Sequence, residues 1–226
     1  RRPPISNLFP YTALPISRQS IMSGMYPGNC GCRRFGTDLA DDITTYPGWL
    51  AKHGYASISA GKLHLQGYDQ LRGWQGSIGM EHSWLYRGPH HSNQGIEGFE
   101  PDSDKWIWRD ELKKAGYGKG FWNRHDKYAV DGALIFLDQY FADPDYDRNI
   151  NRPLLMQVSL NMPHYPYVCS EKWFKYYLTR VEPCLEEPQN EHPCFRQRPI
   201  RPGKDVSVRE IKRAMAAYCG MITEAD

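Results

Sequence analysis

The sequence predicts an α/β protein in which a mixed, mainly parallel sheet is flanked by helices. A short helical pattern over 46–54 is followed at once by a small-residue strand over 55–60. A longer helical pattern over 128–141 is followed by the apolar run 154–160. Because helices that alternate with strands place those strands parallel in one sheet, the two successions indicate a single α/β arrangement.

The composition is that of a globular protein without a strong charge bias. The chain has 226 residues, of which 40% are hydrophobic and 24% charged, enough for one sizeable core. The net charge of +2 at pH 7 gives no broad basic surface, so neither nucleic acid nor a membrane is expected as a partner. The chain contains no apolar run of about 18 residues and no signal-peptide core. A soluble protein is therefore predicted, with the cytoplasm preferred to the periplasm, and the oligomeric state stays open.

Neither the cysteines nor the histidines have the spacing of a metal site. No C-x-x-C pair occurs, and His90 and His91 are interpreted as an exposed loop pair. Cys184 and Cys194 flank a proline-rich loop, where they either pair in an oxidising compartment or remain free thiols. No metal ligand is assigned from the sequence.

The first helical element contains a candidate anion-binding residue. Ser17 is predicted to cap a short helix that Gly24 ends, which would place Arg18 in the first turn. Free backbone N–H groups, the positive helix dipole and an arginine fork together suit sulfate or phosphate. The alternative is an ordinary capped helix with a solvated arginine.

The next helix and strand lead to a second candidate pair. Thr44 or Thr45 is the expected cap of the helix, Pro47 lies in its first turn and Gly54 ends it. After the strand 55–60 the chain reads Gly-Lys-Leu-His-Leu.

An extended backbone over this stretch would bring Lys62 and His64 side by side and turn Leu63 and Leu65 into the core. Carboxyl ends of strands are where α/β folds bind ligands, so the pair would suit an anionic substrate. The alternative is a lysine and a histidine that merely flank a core strand.

The rest of the chain alternates loops with regular elements. Residues 66–125 are predicted to be long loops with one short helix over 104–115, and residues 170–206 a surface excursion. The final helix spans 208–226. The predicted apolar face of the helix over 128–141 is Ala129, Ala133, Phe136, Leu137 and Tyr140. That of the final helix is Val208, Ile211, Met215, Tyr218 and Ile222.

Three ordered motifs resemble those of the formylglycine-dependent sulfatases. The stretch Ser17–Pro27, SRQSIMSGMYP, is similar to the second half of the family signature. Gly-Lys-x-His at 61–64 and Pro-His-x-Pro at 163–166 look like the motifs whose lysine and histidines hold the sulfate group. The stretch 67–74, GYDQLRGW, also resembles choline-sulfatase-like members. The order and spacing of the motifs are those of the family.

This resemblance implies an alkaline-phosphatase-like α/β fold and hydrolysis of small-molecule or sugar sulfate esters. It implies catalytic roles for Arg18, Lys62, His64 and His164, and substrate binding by Ser17, Lys62 and His164. The whole chain, 1–226, is accordingly expected to be a partial amino-terminal catalytic domain. The two loop-rich stretches named above would be excursions from that domain.

Parts of the family pattern have no counterpart in the sequence. The family's nucleophile is a formylglycine made from a cysteine, but no cysteine precedes Ser17 here. In an ungapped alignment with the family signature, the position of that cysteine falls on Leu14. In the preferred alignment, the residues Cys-x-Pro are missing between Ile16 and Ser17. The family also implies a calcium ion, whose acidic ligands are not visible in this chain.

Two alternatives to a sulfatase follow from these gaps. The protein would be a non-catalytic sulfatase-like module that binds an anion or a partner, or a phosphonate or phosphodiester hydrolase of the same superfamily. The latter remains open because tetrahedral anions share these contacts.

Overall fold

The computed structural model describes residues 13–33, 37, 39–65, 69–79, 112–142, 152–183 and 205–226. It divides into two compact units. The first unit contains Arg1–Ile96 and His125–Leu160, and the second contains Glu97–Arg124 and Asn161–Asp226. The regular elements are α1 Ala13–Ser23, α2 Tyr46–Lys52, β1 Ala56–Gly61, β2 Gly76–Ile78, β3 Gly116–Tyr117, α3 Phe121–Ala142, β4 Leu154–Ser159, β5 Val168–Cys169, α4 Glu171–Leu178 and α5 Val208–Ala225.

The first unit is built on a parallel sheet. Within the described residues its strand order is β2-β1-β4, and β1 pairs in parallel with both neighbours. The register with β4 runs from Ala56 opposite Leu154 to Gly61 opposite Ser159. Both predicted strands and their parallel pairing are therefore confirmed. The short strand β2 was missed, because it has only three residues and lies in a stretch predicted to be loop.

Helix α2 begins and ends where its sequence predicts. Thr45 is the N-cap, and its hydroxyl accepts a hydrogen bond from the Gly48 amide at 3.4 Å. Pro47 lies in the first turn, and Gly54 follows the helix with a φ of 89°. The Tyr46 hydroxyl donates to the Gln157 side chain of β4, and burial raises the pKa of this tyrosine.

Helix α1 begins five residues earlier than predicted. It starts at Ala13, so Ser17 lies inside the helix and the predicted N-cap is wrong. Pro15 is compatible with this start, because the first turn has no intrahelical acceptor for its backbone nitrogen. Gly24, with a φ of 68°, ends the helix as predicted. Arg18 therefore does not project from a helix N-terminus.

Helix α3 also begins earlier than predicted, at Phe121 rather than near 128. Its predicted apolar face is confirmed: Ala129, Ala133 and Tyr140 are buried, and Phe136 and Leu137 are half-buried. A Cβ added at Gly61 would lie 3.1 Å from the Ala129 Cβ, so only small residues fit where this helix meets the end of β1. The boundary between the units falls within the helix, after Arg124.

The second unit packs helices against a two-stranded parallel sheet formed by β3 and β5. The core of this unit consists of Ala115, Cys169, Phe174, Ala214, Ala216, Ala217 and Met221. The extent of α5 is close to the prediction, but its predicted apolar face is confirmed only in part. Ile211 and Met215 are half-buried, whereas Val208, Tyr218 and Ile222 are exposed. The buried residues of the helix are Met221 and the small residues Ala214, Ala216, Ala217 and Gly220. The helix packs through small residues because they allow a close approach to β5 and α4.

Several predicted features lie outside the described residues. These are His90 and His91, Cys184 and Cys194, and most of the helix over 104–115, of which 112–114 are helical. In the described ranges, no helix is long and apolar enough to cross a membrane.

Candidate functional site

Arg18 joins helix α1 to the carboxyl ends of two strands. Its Nη1 donates hydrogen bonds to the Lys62 carbonyl oxygen at 2.6 Å and to the Ser159 hydroxyl at 2.7 Å. Its Nη2 lies 3.5 Å from the Leu160 carbonyl oxygen. Lys62 directly follows β1, and Ser159 is the last residue of β4. The arginine fork is thus engaged by acceptors of the protein at the edge of the sheet where α/β folds bind ligands.

Lys62 and His64 follow β1 as predicted, but their backbone is not extended. Gly61 has a φ of 86° and His64 a φ of 56°, both in the left-handed region. The predicted alternation is therefore wrong, because Lys62 and His64 are buried along with the two leucines between and after them. The placement of Leu63 and Leu65 in the core is confirmed.

Gln19 supports the same segment and was missed in the sequence. Its side chain is almost fully buried, with 1% exposure, and its Nε2 lies 3.5 Å from the His64 carbonyl oxygen. Arg18 and Gln19 therefore contact the carbonyl groups of Lys62 and His64. A polar pair at adjacent helix positions is common on solvated surfaces, so the sequence contains no feature that marks it. Ser159 was missed for a similar reason, because it lies within the apolar run 154–160 and nothing there marks it as an acceptor.

Hydrogen bonds of Arg72 join the stretch 69–74 to the loop that precedes α2. Arg72, buried and with a φ of 44°, donates to the Leu39 and Ala40 carbonyl oxygens and lies 3.2 Å from Asp41. The Thr45 hydroxyl donates to the Arg72 carbonyl oxygen. Trp74 follows and packs with Leu63 and Leu65 in one core cluster. The stretch 69–74 thus fixes the core beneath the lysine and histidine.

His164 belongs to the second unit, in the turn that follows β4 in sequence. Its Nδ1 lies 2.6 Å from the Tyr165 carbonyl oxygen, and its amide donates to the Asn161 carbonyl oxygen at 2.9 Å. The Trp122 ring stands edge-on to the imidazole at 5.6 Å, and the Trp122 Nε1 donates to the Tyr165 carbonyl oxygen at 2.6 Å. The predicted site residues are therefore divided between two units, with Arg18, Lys62 and His64 together in the first.

The described residues do not fit the metal centre that the resemblance implies. Among them, no three His, Cys, Asp or Glu side chains lie close enough to hold a cation. The nucleophile that the resemblance implies also has no counterpart here, because α1 contains no cysteine. In the described ranges the free thiols are Cys30, Cys32, Cys169 and Cys219, none of which lies in α1 beside Arg18. This part of the chain therefore supports no catalytic step through calcium or formylglycine.

The site in the first unit brings two cationic residues together at one edge of the sheet. The guanidinium of Arg18, which lies in α1, donates to the backbone carbonyl group of Lys62, a buried residue that follows β1. Cations held in place by hydrogen bonds stabilise an anion without reorganisation when it binds. The arrangement therefore suits an anionic group such as a sulfate ester.

Comparisons with known proteins agree on one family. The family model described as Sulfatase matches residues 15–226. The choline-sulfatase of Rhizobium meliloti (strain 1021) is 26% identical over 177 residues, which are 74% of this chain and 33% of that protein. A sulfatase of Formosa agariphila is 22% identical over an alignment of 239 positions, which covers 93% of this chain and 43% of that protein. The chain thus spans less than half the length of these curated relatives.

Solved structures give weaker similarity. One, from work on the metabolism of multiple glycosaminoglycans by Bacteroides thetaiotaomicron, has a TM-score of 0.46 and 15% identity, covering 95% of this chain and 45% of that one. Another, Ps i-CgsB in complex with k-i-k-neocarrahexaose, has a TM-score of 0.36 and 14% identity, covering 92% and 44%. The predicted alkaline-phosphatase-like α/β class is confirmed by the family match together with the parallel sheet. Since the family model matches nearly the whole sequence, the chain belongs to the sulfatase family.

Proposed function

We propose that this chain is part of a hydrolase of sulfate monoesters, with a small alcohol or a sugar as the leaving group. One observation carries the proposal: Arg18 and Lys62, from two separate family motifs, are joined by a 2.6 Å hydrogen bond at the carboxyl edge of the sheet. The family match supports the reaction class, and the choline-sulfatase among the relatives supports a small sulfate ester.

The proposed reaction converts R–O–SO₃⁻ and water to ROH and HSO₄⁻. The bond between sulfur and the ester oxygen breaks, and the leaving oxygen gains a proton. Positive charge near the sulfate oxygens lowers the barrier because it offsets repulsion of the incoming nucleophile. We assign this charge to Lys62, which Arg18 holds in place through its carbonyl group.

The histidines are the proposed proton carriers, since imidazole changes its charge near neutral pH. His64 follows Lys62 by two residues in the first unit, and its carbonyl group accepts from Gln19. His164 is assigned by the resemblance of its Pro-His-x-Pro motif. Ser17, which is exposed on α1, is retained as a proposed substrate contact by resemblance alone. The nucleophile is not assigned to any residue of this chain.

A second candidate function is a non-catalytic module that binds an anion or a partner. It is favoured by one observation, the absence of a cysteine from ALPISR at 13–18, where the family has its nucleophile. Such a module would keep the charges of Arg18 and Lys62 and bind sulfate without turnover.

The test is hydrolysis of p-nitrophenyl sulfate by the purified protein with calcium. Peptide sequencing across Ile16 and Ser17 comes first, because Cys-x-Pro or formylglycine between them would supply the nucleophile. For an enzyme, Arg18→Ala is expected to lower kcat/KM by roughly 100-fold, because Lys62 loses the group that holds its backbone in place and is then misplaced relative to the substrate. Ser159→Ala removes only one of the arginine's acceptors and is expected to cost about tenfold.

The matched control is Arg33→Ala, which removes an exposed arginine that donates to the Gly28 carbonyl oxygen. It is expected to leave turnover unchanged. Sulfate binding without turnover in the wild-type protein would contradict the hydrolase and support the binding module. A phenylphosphonate ester hydrolysed faster than the sulfate would place the protein with the phosphonate and phosphodiester hydrolases instead.

A further inference from the structure

We propose that Trp122 is a positioning residue that fixes the ring of His164 and selects its tautomer. This inference rests on the proposed function, in which His164 acts on the substrate. It concerns only residues of the second unit. The two residues are far apart in sequence, and Trp122 belongs to none of the three sulfatase-like motifs.

The Tyr165 carbonyl oxygen is the centre of the arrangement. It lies 2.6 Å from the Trp122 Nε1 and 2.6 Å from the His164 Nδ1. A carbonyl oxygen only accepts, and it has two lone pairs. The indole N–H and the imidazole Nδ1–H therefore both donate to it. His164 must carry a proton on Nδ1, so the proton that it gains or loses is the one on Nε2.

Trp122 holds the histidine in two ways. Its N–H fixes the carbonyl group that determines the tautomer. Its ring also meets the imidazole edge-on, with centroids 5.6 Å apart and planes at 76°, a favourable aromatic geometry. The Tyr165 ring lies on the imidazole as well, at 4.2 Å and 32°. The imidazole is thus held by contacts both to its nitrogen and to its ring.

Trp122 lies in the first turn of α3, and contacts of the next residue hold that turn in place. The adjacent Asn123 donates from Nδ2 to Glu224 at 2.8 Å and lies 3.5 Å from the Met162 sulfur. The other Glu224 oxygen accepts from the Ser170 amide at 2.6 Å. These contacts tie the first turn of the helix to α5 and to the turn that carries His164. The helical turn that contains Trp122 is therefore fixed, which allows the tryptophan side chain to orient the histidine.

The test separates the two contacts of Trp122. Trp122→Phe keeps an aromatic ring beside His164 but removes the N–H donor, whereas Trp122→Leu removes both. The side-chain ¹⁵N spectrum of the protein reports the tautomer, and His164→Gln identifies the signal. We expect one tautomer, protonated at Nδ1, in the wild-type protein and mixed tautomers in Trp122→Phe. We also expect kcat/KM on p-nitrophenyl sulfate to fall about tenfold, because a loosely held group loses orientation.

Trp49→Phe is the matched control, since Trp49 is exposed in the first unit and stacks on His53. It is expected to leave the His164 signal and turnover unchanged. A Trp122→Phe protein with the wild-type tautomer would overturn the inference, whatever its activity. A wild-type protein without turnover, but with a tautomer that depends on Trp122, would overturn the proposed function and leave the positioning role standing.

Discussion

The two units hold their candidate site residues by different means. In the first, Arg18 bonds to residues 44 and 141 positions away, at the ends of two strands. In the second, His164 bonds to the carbonyl group of its sequence neighbour, which Trp122 fixes from the start of a helix. The contacts of Arg18 in the first unit therefore form only when the sheet is assembled, whereas the histidine depends on one turn and one tryptophan.

One glycine in each unit lies close to a neighbouring element of the fold. Gly61 ends β1 beneath the lysine, and a Cβ there would lie 2.2 Å from the Ser159 carbonyl oxygen. Gly220 lies in α5, and a Cβ there would lie 2.4 Å from the Cys169 sulfur. The first glycine faces rigid backbone and the second a side chain. The comparison predicts that the first unit tolerates a methyl group less well than the second.

The largest effect is expected for Gly61→Ala. The added methyl group would clash with β4, and the φ of 86° is unfavourable for any residue with a Cβ. We expect the free energy of unfolding to fall by roughly 3 kcal/mol, from strain and overpacking together. Urea denaturation measures this change, and hydrogen exchange should quicken in β1 and β4. Turnover, if present, should also fall, because Lys62 is the next residue.

Gly54→Ala is the matched control for this substitution. Gly54 has a similar φ of 89°, but no atom lies within 4 Å of its added Cβ. It should cost only the backbone strain, about 1 kcal/mol. Equal losses of unfolding free energy in Gly54→Ala and Gly61→Ala would show that the clash with β4 does not contribute to the loss in Gly61→Ala.

A smaller loss is expected for Gly220→Ala. The methyl group would meet the Cys169 sulfur at 2.4 Å and its Cβ at 3.1 Å, so the side chain and β5 must shift. Since helical alanine is otherwise favoured over glycine, the net loss is expected to be about 2 kcal/mol. The double variant Gly220→Ala with Cys169→Ala should recover part of it. If the double variant recovers no stability, the clash with the Cys169 side chain is not the cause of the loss in Gly220→Ala.

The sequence predicted the first unit better than the second, and for a physical reason. Two strands and α2 follow from local patterns: small or apolar runs, a threonine cap, a proline and a closing glycine. The alternation at Lys62 and His64 failed because Gly61 ends the extended backbone. A glycine after a strand permits either conformation, and only the packing against β4 and α3 decides between them.

The face of α5 could not be predicted from its apolar pattern. The predicted face included Val208, Tyr218 and Ile222, which are exposed, whereas Ala217, Gly220 and Met221 belong to the buried face. Hydrophobicity favours the larger residues, whereas close helix packing requires the smaller ones. Trp122 and Ser159 were missed because their roles depend on partners 43 and 141 residues away.

The buried thiol of Cys169 provides a further test of the packing in the second unit. Burial, then the nearby Glu224 carboxylate, raise the pKa of Cys169 from its ordinary 9.0 to about 12. We expect iodoacetamide at pH 8.5 to leave Cys169 unmodified in the folded protein and to modify it in urea. Because the folded pKa is the higher one, this group's contribution to stability is full below pH 9 and lost as the pH rises toward 12. Glu224→Gln should lower the pKa of the thiol, and rapid alkylation of the native wild-type thiol would contradict the burial of β5.

The smallest effect is expected at the start of α5, where the second unit is held by a local motif. The Ser207 hydroxyl accepts from the Glu210 amide at 3.2 Å, and Glu210 accepts from the Ser207 amide at 2.8 Å, a capping box. Ser207→Ala should lower the free energy of unfolding by about 1 kcal/mol, and Ser207→Asp should retain most of the cap. The hydrogen bonds from Ser207 lower the pKa of Glu210, so the carboxylate's contribution is present above its unfolded pKa and lost as the pH falls through the folded one. The loss in Ser207→Ala should therefore shrink at acid pH, and an unchanged difference between pH 7 and pH 3 would assign the cap to the serine alone.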